Sequence, residues 1–374
     1  MQESENQVRP PCRADHIGSL LRPRSLKDAH GALRAGRIDA AQFAAVQDEA
    51  IRQAVKMQER AGVGAVTDGE FRRRSWLAGF VDAVDGLTHR ETRFSFKDDA
   101  ESGVSVPVPH VESRLRRTRG ITTDEFSFLK PLTQRRIKVT LPAPSVMHFF
   151  RGPEGIDPAT YAGEDAFWDD LIKVYQQEIR ELDRLGCTYL QLDEVPIALL
   201  CDPAIRERIT AWGWNWQDLL RRYTTATNEV LSACSARMTV GMHLCRGNFR
   251  GHWIGSGGYE PVAEILFNET RVNHFLLEFD SERAGGFEPL RFVPGDKSVV
   301  LGLVSTKTAA LEEVGDLCGR IDRATAMLPL ERLALSPQCG FGTTVGGAPM
   351  TDDQQRLKLT RVVEVATRVW GNAA

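Results

Sequence analysis

The sequence predicts an α/β fold, specifically a (β/α)8 TIM barrel with an insertion after the second strand. Three observations lead there. Eight apolar, β-rich runs recur along the chain, each ending in a polar or small residue. Helical patterns lie between most of them, and such alternation requires a parallel sheet covered by helices. The chain has 374 residues, 42% of them hydrophobic, which supplies one large core and suits a single barrel.

The runs are, in order, RADHIGS ending near Ser19, GAVTDGE ending at Glu70, IKVTLPAP ending near Pro144 and TYLQLDE ending at Glu194. MTVGMHLC ending at Cys245, HFLLEFD ending at Asp280, SVVLGLVS ending at Ser305 and LALSPQC ending at Cys339 complete the set. Between the fourth run and the segment before it, Leu171, Val174, Tyr175, Ile179, Leu182 and Leu185 keep i, i+3, i+4 spacing, and Gly186 is a stop signal. The last helix opens with the capping-box pattern TDDQ, Thr351 to Gln354. Its apolar stripe runs from Leu359 through Val362, Val363, Ala366 and Val369 to Trp370, and Gly371 ends it. Residues from about Asp85 to Arg136 break the rhythm; they read as an insertion, a hairpin packed across one barrel end. Residues 1–11 read as a flexible polar tail and 12–374 as one catalytic barrel.

Composition excludes several function classes. The formal net charge is -3 and no long basic stretch occurs, so nucleic acid is not expected as a partner. No apolar run approaches the ~20 residues of a membrane span, and the polar N-terminus lacks the apolar core of a signal peptide. The chain reads as cytoplasmic, with its 7 scattered cysteines reduced. Five of them, Cys12, Cys187, Cys201, Cys234 and Cys318, read as structural.

Chemistry in such a barrel gathers at the C-terminal strand ends. Those ends carry Glu70, Asp193, His243, Cys245, Glu278 and Cys339. Strand side chains alternate faces, so His243 and Cys245 point the same way. Zinc takes four ligands from Cys, His and Asp/Glu, and Glu278 and Cys339 are placed to complete a set. The bland readings are core residues for the cysteines and histidine and a solvated rim carboxylate for Glu278. Zinc held by two thiolates suits binding a substrate thiol and lowering its pKa.

RADHIGSLLRP, VTDGEFRRRSW, LQLDEV, GMHLCRGN, LEFDSERAG, LGLVSTK and LALSPQCGF resemble the cobalamin-independent methionine synthase family, in particular its short single-barrel bacterial members. The resemblance runs from about Arg13 to Trp370. It implies methyl transfer from 5-methyltetrahydrofolate to homocysteine, and zinc held by His243, Cys245, Glu278 and Cys339. By the same resemblance Ile17, Gly18 and Ser19 bind the amino-acid carboxylate, while Glu70 and Asp193 hold its amino group. Two carboxylates beside an ammonium make charge-assisted hydrogen bonds; the competing reading is an ion pair with Arg72 or Arg73. Asp68 and Glu194 are expected to face outward or to support these neighbours.

The chain departs from the long members of that family. It has one barrel rather than two. Val304 stands where they carry a histidine that protonates the leaving pterin, so Lys307, Ser305 or a water held by Asp280 would substitute. The pterin-stacking aromatic falls near Met147 and His148, which makes His148 or Phe149 its stand-in. Arg283 is a candidate partner for a substrate carboxylate or for Asp280, and Arg246 an active-site cation or an anchor. Two other readings stay open: a zinc alkyltransferase or carbon–sulfur lyase acting on another thiol or methyl donor, and a non-catalytic zinc-containing binding protein.

Overall fold

The structure, a computed structural model, describes residues 8–96, 105–249, 252–342, 344–345 and 349–373. Residues 1–7 of the expected tail and 97–104 of the expected insertion lie outside them. The strands are β1 (Ala65–Val66), β2 (Val84–Glu91), β3 (Pro107–Arg117), β4 (Arg136–Ile137) and β5 (Val139–Pro142). There follow β6 (Tyr189–Glu194), β7 (Thr239–Leu244), β8 (His274–Glu278), β9 (Ser298–Val304) and β10 (Leu333–Pro337).

β5 to β10 form one parallel sheet in sequence order. Residues of β5, β6, β8, β9 and β10 are buried throughout, as strands covered on both faces must be. Backbone bonds carry this sheet round into a barrel. Ala14 bridges Leu335 of β10 in parallel. The Gly64 N–H donates to the Ala14 carbonyl at 2.8 Å. β1 pairs in parallel with β4, which is separated from β5 by Lys138 alone. The run ending at Ser19 therefore contributes its edge only at Ala14. Beyond it the chain turns, with Gly18 at φ +137°, a conformation that excludes regular strand.

The long helices follow their sequence signals. Glu164–Leu185 stops at Gly186, which adopts φ +95°. Asp352–Trp370 opens on a capping box between Thr351 and Gln354 and ends at left-handed Gly371. Among the described residues, no helix is long and apolar enough to cross a membrane.

The insertion is an antiparallel hairpin of β2 and β3, followed by the short helix Thr123–Leu129. Val84, Leu87, Val108, Val111 and Leu115 are buried, while charged neighbours such as Arg90 and Glu112 pair in solvent. The chain beyond β2 reaches over the barrel mouth. Phe94 stacks on Phe149 at 5.0 Å, and the Phe96 ring lies 5.5 Å from that of Phe249.

Candidate metal centre and amino-acid pocket

His243 and Cys245 leave the end of β7 on the same side, and Cys339 follows β10. One donor atom from each of these three buried residues lies within 4.8 Å of the others. The His243 Nδ1 lies 3.2 Å from the Leu276 carbonyl. That contact makes Nδ1–H a donor; burial lowers the His243 pKa, but the Cys339 sulfur and Asp193 outweigh it and raise it. Nε2 is buried without a hydrogen-bond partner, which a polar interior atom rarely tolerates.

The Cys245 and Cys339 sulfurs are 3.5 Å apart, far beyond the ~2.05 Å of a disulfide. They share a proton. The bond from Cys245, with help from His243, pushes Cys339 down to about 5. The same bond, together with burial, pushes Cys245 up. A thiolate, a second thiol and an unpaired imidazole nitrogen form a donor set that fits a soft divalent ion such as zinc.

Glu278 ends the adjacent strand β8, but its carboxylate is engaged elsewhere. The Lys307 Nζ donates to its Oε1 at 2.6 Å and to both Asp280 oxygens at 2.9 and 3.0 Å. The Arg246 N–H lies 3.2 Å from its Oε2. Glu278 stays ionised despite its burial, because Lys307 and Arg246 oppose the desolvation.

Beside the sulfurs lies a small cavity of about 60 Å3 whose walls include Ile17, Ser19, Glu70 and Asp193. β6 pairs with β7 so that Asp193 is directly opposite His243. Burial pushes Asp193 up to about 7 and also raises Glu70. Glu70 has φ +60°, a strained conformation for a residue with a side chain. Its Oε1 accepts from Thr140 Oγ1 at 2.9 Å, and its Oε2 is buried with no partner. Arg73 is not chiefly its partner. Arg73 forms a bidentate pair with Glu125 at 2.9 and 2.6 Å and reaches Glu70 only at 3.8 Å. Arg72 pairs with Asp48.

The expected residues divide accordingly. His243, Cys245, Cys339, Asp193, Glu70, Ile17 and Ser19 all line the same cavity. Gly18, between Ile17 and Ser19, packs against Glu70: a Cβ there would meet Thr140 Cγ2 at 2.7 Å and Glu70 Oε1 at 3.2 Å. His148 is not brought there. Its ring stacks on Trp214 at 4.9 Å and its Nδ1 lies 2.9 Å from the Tyr223 hydroxyl, so it is engaged away from the cavity. Arg283 instead lies over the Trp253 ring at 4.0 Å. Lys307 is held at Glu278, and Val304 is fully buried. Asp68 and Glu194 do not face outward. Both are buried, Asp68 accepting the Glu70 N–H at 2.8 Å and Glu194 the Ile197 N–H at 2.8 Å.

Sequence reading missed the aromatic wall. Trp76, Phe96 and Phe150 line the small cavity and also a larger one of about 480 Å3, between the hairpin and the barrel mouth. Phe150 is one residue beyond the pair considered for that role. Trp76 ends the RRRSW stretch and carried no positional signal.

The family described as "Cobalamin-independent synthase, Catalytic domain" matches residues 13–368. Bacillus subtilis YxjH and YxjG, both described as uncharacterized, are 34% and 35% identical over 99% of this chain and 97% of each relative. The methionine synthase of Saccharolobus solfataricus is 24% identical over 87% of this chain and 86% of its own length. A Listeria monocytogenes structure, described as a candidate vitamin-B12-independent methionine synthase, superposes with TM-score 0.77 at 30% identity. It covers 98% of this chain and 100% of that one. A Shewanella B12-independent methionine synthase in complex with selenomethionine shares the fold, with TM-score 0.73 at 19% identity over 96% of this chain and 98% of its own. The chain belongs to the cobalamin-independent methionine synthase family.

Proposed function

We propose that this member of the cobalamin-independent methionine synthase family is a zinc-dependent thiol S-methyltransferase. Its acceptor in this reading is homocysteine and its donor a methyltetrahydrofolate-like molecule, giving methionine. One observation carries the reading: an orphaned imidazole nitrogen and a proton-sharing cysteine pair line the same cavity as two buried carboxylates.

His243, Cys245, Cys339 and Glu278 are the residues assigned to the ion. When bound, zinc lowers the pKa of a thiol so that a nucleophilic thiolate forms near neutral pH. The protein's own groups do the rest. Ile17, Gly18 and Ser19 present N–H groups to the substrate carboxylate. Glu70 and Asp193 take the ammonium, whose charge offsets the desolvation that raises both acids. Trp76, Phe96 and Phe150 form an apolar wall against a flat donor and exclude water. Lys307 is held between two carboxylates that raise its pKa, so we assign it to anchoring Glu278 rather than to giving up a proton.

A second reading rests on the larger cavity. Among its described lining residues only Arg74 and His89 are ionisable, and burial lowers the His89 pKa. A donor with a better leaving group than a pterin amine needs no strong acid there. The deciding experiment incubates zinc-loaded protein with homocysteine and 5-methyltetrahydrofolate and measures methionine. Methionine at catalytic turnover supports the first reading. No methionine, with turnover of another methyl donor, supports the second.

A further inference from the structure

The turn at Ile17–Ser19 is held from behind by a chain of fully buried polar groups. Lys138, Gln191 and Asp15 are 2%, 0% and 0% exposed. Lys138 has three N–H bonds to give, and all are taken: the Asp15 Oδ1 at 2.8 Å, the Gln191 Oε1 at 3.0 Å and the His16 carbonyl. Because Gln191 Oε1 must accept from an ammonium, its amide orientation is fixed. Its Nε2 then donates forward twice, to the Ile17 carbonyl at 2.6 Å and to Asp193 Oδ1 at 2.7 Å.

Thr67 Oγ1 donates to the next carbonyl, Gly18, at 2.7 Å. Three successive carbonyls, of His16, Ile17 and Gly18, are thus drawn into the protein. The N–H groups of Ile17, Gly18 and Ser19 have no partner among the described residues. Successive free N–H groups in such a turn form an anion-binding concavity.

We propose that Gln191 is a positioning residue that locks the N–H turn and Asp193 into one rigid receptor for an α-amino acid, with Lys138 setting its orientation. This rests on the methyl-acceptor reading above. One amide fixes both the group facing the carboxylate and the group facing the ammonium, so amino-acid recognition and not thiol reactivity depends on it.

The test uses Gln191→Met and the isosteric Gln191→Glu in the full-length protein. Glutamate keeps an oxygen for Lys138 but loses both forward donations. Binding of L-methionine is measured by titration calorimetry without methyl donor, and zinc content and circular dichroism report folding. Both variants are expected to bind methionine at least tenfold more weakly than wild type while keeping zinc. In turnover, KM for homocysteine rises and KM for the methyl donor does not. Wild-type affinity in both variants overturns the proposal, as does a parallel rise of both KM values, which marks a merely structural role. If wild-type protein itself binds neither methionine nor homocysteine, the acceptor reading fails instead.

Discussion

Replacing Cys339 by Ser tests the metal centre without relying on turnover. The substitution is nearly isosteric and the site is buried, so the barrel should fold. A ligand that binds only the folded state stabilises it by about 2.7 kcal/mol at 100 times its Kd and about 4.1 kcal/mol at 1,000 times. Unfolding entropy near 2.1 cal/mol/K per residue amounts to about 0.8 kcal/mol/K for 374 residues. Zinc added to chelator-treated wild type should therefore raise Tm by ~3 °C at the lower excess and ~5 °C at the higher. In Cys339→Ser only His243, Cys245 and the engaged Glu278 remain, and the shift should vanish at the same zinc concentrations. Differential scanning calorimetry, with metal analysis of the dialysed protein, reads both quantities. A full zinc-dependent shift in Cys339→Ser would show that the cysteine is an ordinary core residue and would refute the assignment.

Further outcomes follow from individual groups. Glu70→Gln removes a carboxylate whose ionised form burial penalises, so Tm should hold or rise while methionine affinity falls at least tenfold by calorimetry. Lys307→Met removes the ion-pair partner shared by Glu278 and Asp280, a loss of about 3–5 kcal/mol, seen as a Tm lowered by about 4–6 °C in zinc-free protein. Trp76→Ala should raise KM for the methyl donor at least tenfold and leave methionine binding within about threefold. Burial lowers His16 to about 4 and His274 to about 3. Their folded-state pKa values lie below the unfolded one, so the unfolded chain binds more protons at acid pH. Their contribution is fully present above about pH 6.5 and is lost as pH falls toward 4 and 3, which urea unfolding between pH 7 and 4.5 will show as a falling midpoint.

The parts of the molecule legible in the sequence are those where one strand carries its own signal. TYLQLDE and SVVLGLVS are continuous apolar runs because both faces of β6 and β9 are buried. His243 and Cys245 share a face because strand period is two. Gly186 and the Thr351 box terminate helices by local backbone chemistry. What the sequence left illegible depends on contacts distant along the chain. His148 looked free beside a strand end, but Trp214 and Tyr223 close over it. Glu278 ends its strand as expected, yet Lys307, 29 residues on, takes its oxygen. Trp76, Phe96 and Phe150 make a wall only after the hairpin folds over the mouth. The first run looked like a whole strand, but Gly18 bends it after one bridge.

The unmet polar demand at the mouth has a shape. An acceptor without a donor, the Glu70 Oε2, and the desolvated carboxyl of Asp193, raised to about 7, line one part of the cavity. Residues with donors that lack acceptors, Ile17 and Ser19 of the turn, line another. Each burdens the folded state by the cost of an unsatisfied buried group, about 1–3 kcal/mol, and the left-handed backbone of Glu70 adds strain. A plain alkyl thiol relieves none of this. An α-amino acid carries a cation and an anion on one carbon and would relieve both sets together, so under the proposed function the folding stability given up at the mouth returns as affinity for that class of ligand. On the same proposal, the sulfur of such a ligand, on a side chain of matching length, would be delivered to the cysteine pair by the contacts that hold its head, making recognition and reaction geometry one arrangement.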